Sequence, residues 1–225
     1  MDWDEFAEWG EHLTGWAAEY HRTLRDRPVR AQTQPGDTAR LLDARPPMHG
    51  EPMADSLSDF ERIIMPGMTH WQHPRFFAYF PANASPPSML AEILVSTIAA
   101  QCMLWQTSPA ATEMEGVMVD WLRQALALPD GYTGVIQDSA SSATLSAVLT
   151  MRERAIGYTG NRDGLSGKGR LRVYCSDQVH SSIDRAAWVA GIGQDNLVKP
   201  RTRGPRYGLD ADELKQAIAR DRTAG

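Results

Sequence analysis

Apolar side chains recur at every third or fourth position over the first 24 residues of the chain. They are Phe6, Trp9, Leu13, Trp16, Tyr20 and Leu24. This spacing predicts an amphipathic helix, and Asp2 followed by Glu5 predicts a capping box at its start. A helix face so rich in aromatic rings must be buried, either in the core of the chain or against a partner subunit.

The segment that follows, residues 26–55, is rich in Pro, Arg and small residues. This composition predicts an extended arm with at most short helical turns. A second helix is expected to begin at Asp55 or Ser56, and Pro66 and Gly67 should end it.

Two longer helices are predicted in the middle of the chain. The first runs from about Pro87 to Trp105, and because it is apolar almost all round, we expect it to be buried. The second begins with Ser108 as N-cap and Pro109 as its first residue, and it ends near Leu128.

Short apolar runs alternate with helical patterns over the rest of the chain, beyond a turn at residues 130–131. Strands that alternate with helices indicate an α/β fold with a parallel sheet. Strands are expected over residues 134–137, 171–176 and 195–199, and helices over 139–157, 180–190 and 210–222.

This pattern divides the chain into two predicted parts. Residues 1–85 form a helical, Pro-rich N-terminal segment, and residues 86–225 form the first part of an α/β domain. Three strands are few for a sheet of this kind, so we expect more polypeptide to complete it, or the chain to be a fragment.

Composition and charge exclude several classes of function. The chain has 225 residues, is 42% apolar and carries a net charge of −5, which argues against nucleic acid as a partner. Glu92 and Gln101 interrupt the longest apolar stretch, so no membrane span is predicted. Cys102 and Cys175 lie among apolar neighbours, which predicts reduced, buried thiols in a cytoplasmic protein. No spacing of His and Cys residues predicts a metal site.

The first candidate for chemistry is the run DSASSA, residues 138–143, between a predicted strand and a predicted helix. The first turn of a helix exposes unpaired N–H groups, and small residues with hydroxyls let a phosphate approach them. The alternative is that Ser139 simply caps the helix. The run has neither the lysine of a Walker A loop nor the glycines of a dinucleotide fingerprint.

The second candidate is His180, which follows the strand of residues 171–176. Ligands of open α/β sheets gather at the carboxyl ends of strands, where His180 and Ser139 are both expected. A histidine at a helix start also serves as a cap or as a surface residue, and that interpretation stays open. A triad of Ser139, Asp177 and His180 is disfavoured because no G-x-S-x-G elbow is present.

Five aromatic residues lie within ten positions in the segment from Trp71 to Phe80, and prolines around them exclude a long helix. These rings either pack into a core or line an apolar ligand pocket. His70 and His73 flank Trp71, and a role in that pocket and a structural role are both open.

Four blocks, in this order, resemble one family: HWQHPRFFAYFPANAS, SPAATEMEGVMVDWL, QDSASSATLSAVLTMR and YCSDQVHSSIDRAA. They are similar to the aromatic-L-amino-acid decarboxylases, the group II pyridoxal-phosphate-dependent decarboxylases of fold type I. The resemblance is dense from about Met65 to Leu197. It implies the first part of a fold type I large domain, preceded by N-terminal helices that clasp a partner subunit in a homodimer with shared active sites.

The resemblance also implies roles for individual residues. Ser139, Ala140 and Ser141 would hold the phosphate of pyridoxal 5'-phosphate. His180 would stack on the pyridine ring and take part in catalysis. The side chain of an aromatic L-amino acid, which the enzyme would decarboxylate to the amine, would lie against Trp71, Tyr79, Phe80, Pro81 and, across the dimer interface, Met103.

The chain departs from the family at several positions. Asp138 stands where glycine is common, which puts a carboxylate beside the phosphate. None of Lys168, Lys199 and Lys215 matches the context of the family's Schiff-base lysine. We therefore expect that lysine, the aspartate that pairs with the pyridine nitrogen and the catalytic loop in further sequence, or in a complementing C-terminal polypeptide, and expect this chain alone to be inactive. An aromatic aldehyde synthase of the same family, or a non-catalytic dimerisation partner, is the alternative.

Overall fold

The computed structural model describes residues 1–80 and 84–224, which form two compact units, Met1–Ala99 and Ala100–Gly225. The boundary between residues 85 and 86 stays a prediction. Among the described residues, no helix combines the length and the apolar character needed to cross a bilayer.

The first unit begins with the predicted helix, α1, which runs from Trp3 to Thr23. Its capping box is confirmed: the Asp2 carboxylate accepts from the N–H of Glu5, and the Glu5 carboxylate accepts from the N–H of Asp2. The C-terminal half of α1 packs through Trp16, whose ring stacks on Tyr20 at 5.6 Å and meets Phe60 edge-on at 5.5 Å. Part of the aromatic face is therefore half-buried within the unit itself.

The arm after α1 has short helices only, as predicted. These are α2 (Asp37–Leu41) and α3 (Met53–Asp59), and α3 continues through a π-helical turn at Phe60–Ile64 and a 3-10 turn at Met65–Gly67. The second helix thus begins two residues before the predicted start, and it ends at the predicted proline and glycine.

The next helix, α4 (Pro86–Ile98), differs from its prediction in length and in burial. It ends seven residues before Trp105, at Ala99 in the left-handed region with φ 47°. Its apolar side chains are not buried in this chain: Leu94 is 64% exposed and Ile98 is 72% exposed. The sequence pattern indicated that the apolar side chains of this helix need to be buried on all sides. It could not show whether the described residues of this chain bury them.

The second unit contains five helices and four short strands among its described residues. The helices are α5 (Pro109–Ala125), α6 (Ala140–Ala155), α7 (Gly160–Asp163), α8 (Ser182–Val189) and α9 (Ala211–Ala224). The strands are β1 (Val173–Tyr174), β2 (Leu197–Val198), β3 (Thr202–Arg203) and β4 (Gly208–Leu209).

Strands β1 and β2 pair in parallel, with Val173 opposite Leu197 and Tyr174 opposite Val198. Helix α8 connects them, so the predicted strand–helix–strand unit is present. The strand predicted at residues 134–137 is wrong for this structure: those residues have no regular structure, and Val135 and Ile136 are exposed. A strand needs a neighbour to hydrogen-bond with, and an apolar run alone does not provide one.

Two further features differ from the predictions. Residues 202–209 form an antiparallel hairpin of β3 and β4 that the pattern did not indicate. Its turn contains Tyr207 with φ 50°, in a region that a bulky residue seldom adopts. The cysteines are both free thiols, but Cys102 is exposed and Cys175 is half-buried rather than buried.

The core of the second unit lies between α6 and α8. Val148 of α6 packs against Ala186, Ala190 and Ile192, and all four are buried. The Arg152 guanidinium donates to the carbonyl of Ala190 at 2.7 Å, which ties the end of α6 to the end of α8. This packing fixes the two helices relative to each other.

Replacing Val148 with Ala should lower the free energy of unfolding of the second unit by about 2 kcal/mol, because it removes buried methyl groups and leaves a cavity. Urea denaturation followed by far-ultraviolet circular dichroism measures the change. Val189→Ala on α8 is the matched control, because that side chain is 64% exposed. Equal destabilisation by both variants would contradict the assignment of the core.

Candidate functional site

The start of α6 has the geometry of a capped and accessible helix N-terminus. Ser139 has extended backbone, and its hydroxyl accepts from the N–H of Ser142 at 3.2 Å. The hydroxyls of Ser139 and Ser142 are 3.1 Å apart. The N–H groups of Ala140 and Ser141 lie in the first turn, where a helix offers no acceptor of its own. The cap is therefore real, and it leaves donors for a ligand.

His180 lies directly before Ser181, the N-cap residue of the next helix, α8. Its Nδ1 atom accepts from the N–H of Ser182 at 3.2 Å, and its carbonyl accepts from the N–H of Ile183 at 3.1 Å. These hydrogen bonds orient the ring, which is exposed. The predicted role of His180 in binding the cofactor stays a prediction.

A cavity of 170 Å³ lies between the two helix starts. Its polar lining comes from Ser141 and Ser142 on α6 and from Ser182 and Arg185 on α8. Leu145, Ala186 and Val189 form the apolar wall. Most of the lining surface is apolar, and the serine hydroxyls and the guanidinium are the donors in it that suit a phosphate. The residues present thus fit an anionic group of this kind.

The lining of the cavity differs from the set of predicted cofactor residues, whose role stays a prediction. Ser141 lines it, whereas Ser139, Ala140 and His180 do not. Ser182 and Arg185 were not predicted, although they are three apart on α8 and so share one face of that helix. Asp138 is exposed, so its carboxylate is solvated beside the helix start rather than buried against the cavity.

Each of the three lysines of the chain lies beside a carboxylate. Lys199 donates to both carboxylate oxygens of Asp184, at 2.7 and 3.0 Å, and this hydrogen bond raises the pKa of Lys199 and lowers that of Asp184. Lys168 lies near Asp163 at 3.4 Å, and Lys215 near Asp212 at 3.7 Å. A nucleophilic amine has to be neutral. The carboxylate partner keeps Lys199 charged, so it does not suit that role.

The predicted substrate-side residues of the first unit form an exposed ring cluster. Trp71 stacks on Tyr79 with ring centres 5.5 Å apart and lies 4.9 Å from Phe76. Phe80 is fully exposed, and Pro81 lies outside the described residues. These rings are not packed into a core among the described residues, and their role in a ligand pocket stays a prediction.

Met103 belongs to the second unit, in the irregular segment before α5, and it is exposed. The structure therefore leaves it free to contact a partner. Its predicted role at the substrate side stays a prediction.

Comparison with known proteins decides the family. A family model described as the pyridoxal-dependent decarboxylase conserved domain matches residues 35–225. The chain belongs to this family. The resemblance inferred from the four sequence blocks is therefore confirmed.

Individual relatives agree with the family assignment. The chain is 38% identical to mouse aromatic-L-amino-acid decarboxylase over 237 residues, which cover 100% of this chain and 48% of that protein. It is 37% identical to phenylacetaldehyde synthase of Arabidopsis thaliana, covering 100% of this chain and 46% of that protein. The chain thus spans about half the length of the curated relatives it matches.

The solved structures confirm the predicted fold. Catharanthus roseus tryptophan decarboxylase, solved in complex with L-tryptophan, matches with a TM-score of 0.91 at 31% identity, over 100% of this chain and 48% of that one. The chain therefore has the fold of the first part of a decarboxylase of fold type I, and that fold contains the cavity between α6 and α8.

Replacing Asp184 with Asn should increase the rate at which an amine-acylating reagent modifies Lys199, because the lost carboxylate lets the pKa of Lys199 fall toward its ordinary value. Peptide mass spectrometry after brief acylation near pH 8 measures the rate at each lysine. Asp212→Asn is the matched control, because the Lys215–Asp212 pair is exposed and an exposed pair interacts weakly. An unchanged rate at Lys199 would show that the ion pair does not hold its proton.

Proposed function

We propose that this chain is part of a pyridoxal-phosphate-dependent enzyme that decarboxylates an aromatic L-amino acid to the amine and CO2. The observation that carries the proposal is the start of α6, where the N–H groups of the first turn lie beside a cavity lined by Ser141 and Arg185, in a member of this family. The net charge of the chain is negative and does not attract an anion, so anion binding has to come from the hydrogen-bond donors at this site.

Within this proposal, the start of α6 holds the phosphate. Ser139, Ala140 and Ser141 supply hydroxyl and backbone N–H donors, and the partial positive charge of the helix start adds to them. Arg185 lines the cavity that Ser141 also lines, and it contributes a full positive charge. These donors place the phosphate without a lysine.

His180 acts on the ring side of the cofactor. The hydrogen bond from the N–H of Ser182 to Nδ1 sets the plane of the imidazole, and the exposed face of that ring is available to stack on a pyridine ring. When bound, the cofactor would accept the electron pair released as the bond between Cα and the carboxylate breaks. His180 would move or hold a proton at Nε2.

The aromatic cluster of the first unit receives the side chain of the substrate. Trp71, Tyr79 and Phe80 offer flat apolar surfaces, which favour a ring over a second carboxylate. Pro81 and Met103 complete this side of the proposed site. These residues do not distinguish among tryptophan, tyrosine, phenylalanine and dihydroxyphenylalanine as substrates.

We further propose that the working enzyme is a cytoplasmic homodimer with shared active sites, completed by further polypeptide that supplies the Schiff-base lysine. The apolar side chains that α4 and α5 leave exposed support a partner subunit, since such surface is costly in water. An apolar groove of 640 Å³ between α1 and α4 supports the same conclusion. The two free thiols agree with a reducing compartment.

Aldehyde synthesis is the second candidate, because a relative with that activity is about as similar as the decarboxylases are. Such an enzyme would consume O2 and water and release the aldehyde, CO2, ammonia and hydrogen peroxide. A non-catalytic dimerisation partner is the third candidate, and it would release no product at all.

Replacing Ser141 with Asp should weaken phosphate binding by about tenfold or more, which corresponds to at least ~1.4 kcal/mol, because a carboxylate then faces the anion. The same substitution favours the helix itself, since a negative charge suits a helix N-terminus. Titration of the isotope-labelled chain with inorganic phosphate and with pyridoxal phosphate, followed by amide chemical shifts, measures the affinity.

Thr150→Asp is the control for this experiment. It makes the same charge change on an exposed position about 13 Å further along the axis of α6. Equal loss of affinity in the two variants, or none in Ser141→Asp, would contradict the placement of the phosphate at the start of α6.

The complete enzyme should release an amine and CO2 in equal amounts from at least one aromatic L-amino acid. Chromatography of the products, together with assays for ammonia and hydrogen peroxide, separates this outcome from aldehyde synthesis. Trp71→Ala should raise KM for the aromatic substrate more than it lowers kcat, because it removes binding surface and no reacting group. Release of aldehyde with peroxide would reject the decarboxylase in favour of the synthase.

A further inference from the structure

Two buried histidines flank the exposed Trp71 in the segment of residues 70–80, which we call the aromatic loop. His70 is 5% exposed and His73 is 3% exposed, whereas Trp71 between them is 45% exposed. Buried imidazoles are uncommon, and each needs hydrogen-bond partners. The loop is therefore anchored on both sides of the ring that it presents.

The anchors connect the aromatic loop to the N-terminal part of the chain. The hydroxyl of Tyr20, on α1, is 2.8 Å from Nδ1 of His70, and the N–H of His70 donates to the carbonyl of Val29 at 2.9 Å. At His73, Nδ1 accepts from the N–H of Arg75 at 3.0 Å, and Nε2 lies 3.2 Å from the carbonyl of Arg25. Both rings are thus held against the N-terminal part of the chain.

The surroundings of His70 contain no negative charge among the described residues that face it. The groups that face it are Tyr20 from α1, Arg27 from the segment after α1, and His73 from its own loop. The Arg27 guanidinium lies 5.0 Å from the centre of the Tyr20 ring, and its buried Nε atom has no hydrogen-bond partner. Glu61 is the nearby acid, and it accepts from the indole N–H of Trp16 at 2.7 Å.

We propose that Tyr20 and His70 form a latch that holds the aromatic loop in position, and that the latch closes only while the His70 imidazole is neutral. In the closed state the Tyr20 hydroxyl donates to Nδ1. A proton on Nδ1 removes that acceptor and adds a positive charge beside Arg27. The inference rests on the proposed function, because the loop presents Trp71 and Tyr79 to the proposed substrate site.

The electrostatics agree with this geometry. Burial lowers the pKa of His70, and the charges of Arg27 and His73 lower it further, whereas burial raises the pKa of Tyr20. A histidine whose pKa is lower in the folded state binds fewer protons there than in the unfolded state. The closed latch is therefore fully present above about pH 6.5 and is lost as the pH falls through the lowered pKa.

The indole N–H resonance of Trp71 in the isotope-labelled chain tests the latch. Trp71→Phe assigns the resonance, and Trp121 in the second unit serves as internal reference. Between about pH 5 and 8, the wild-type resonance should shift with a midpoint below that of a free imidazole. Tyr20→Phe should move it, already at pH 8, toward its position at low pH, because the ring remains but the hydroxyl is gone.

Three further variants separate the latch from a merely structural effect. His70→Asn places a neutral acceptor near Nδ1, so the resonance should stay at its high-pH position throughout. Arg27→Met should raise the midpoint, because it removes a like charge. Arg25→Met is the matched control: it makes the same charge change on an exposed side chain two positions away and should leave the midpoint unchanged.

A Trp71 resonance that does not depend on pH, or one that Tyr20→Phe leaves in place, would overturn the latch. So would an Arg27→Met midpoint equal to that of Arg25→Met. None of these measurements uses activity or cofactor, so failure of the proposed decarboxylase would leave them unaffected. If the latch is confirmed and the enzyme decarboxylates, KM for the aromatic substrate should rise as the pH falls through the same midpoint, and His70→Asn should abolish that rise.

Discussion

The close packing of α6 against α8 is the contact on which the candidate site depends. Ala186, Ala187 and Ala190 are at most 2% exposed, and their small side chains let the two helices approach each other. Val148 fills the space that remains, and Arg152 closes the far end of the pair. Because both helices are held along their length, the serines at the start of α6 come to lie opposite Ser182 and Arg185. The proposed anion-binding chemistry would thus be a consequence of how the core packs.

How much of this arrangement is predictable from sequence depends on the range of the interaction concerned. The capping box at Asp2 and the start of α6 after Ser139 are local hydrogen bonds, so a few neighbouring residues specify them. The parallel pairing of β1 with β2 also follows from alternation of strands and helices. Ser182 and Arg185 could not be predicted as partners of Ser141, because only the packing of two helices brings them together.

The errors have a physical cause in common. Apolar runs were the basis for the predicted length and burial of α4 and for the strand predicted at residues 134–137. Such runs show that side chains need to be buried, but they do not show which residues bury them. In this chain Leu94, Ile98 and Ile136 remain exposed. The hairpin of β3 and β4 was not predicted, because no residue pattern indicates a turn that places Tyr207 at positive φ.

The two units use protons in different ways. In the second unit, hydroxyls and backbone N–H groups surround the start of α6, and the carboxylate of Asp184 keeps Lys199 charged. In the first unit, two buried imidazoles flank an exposed indole, and burial lowers the pKa of one of them, His70. The proposed latch of the first unit therefore depends on a titratable group, whereas the hydroxyls and N–H groups at the start of α6 do not change their protonation state. A fall in pH through the lowered pKa of His70 would thus open the latch and leave these donors as they are.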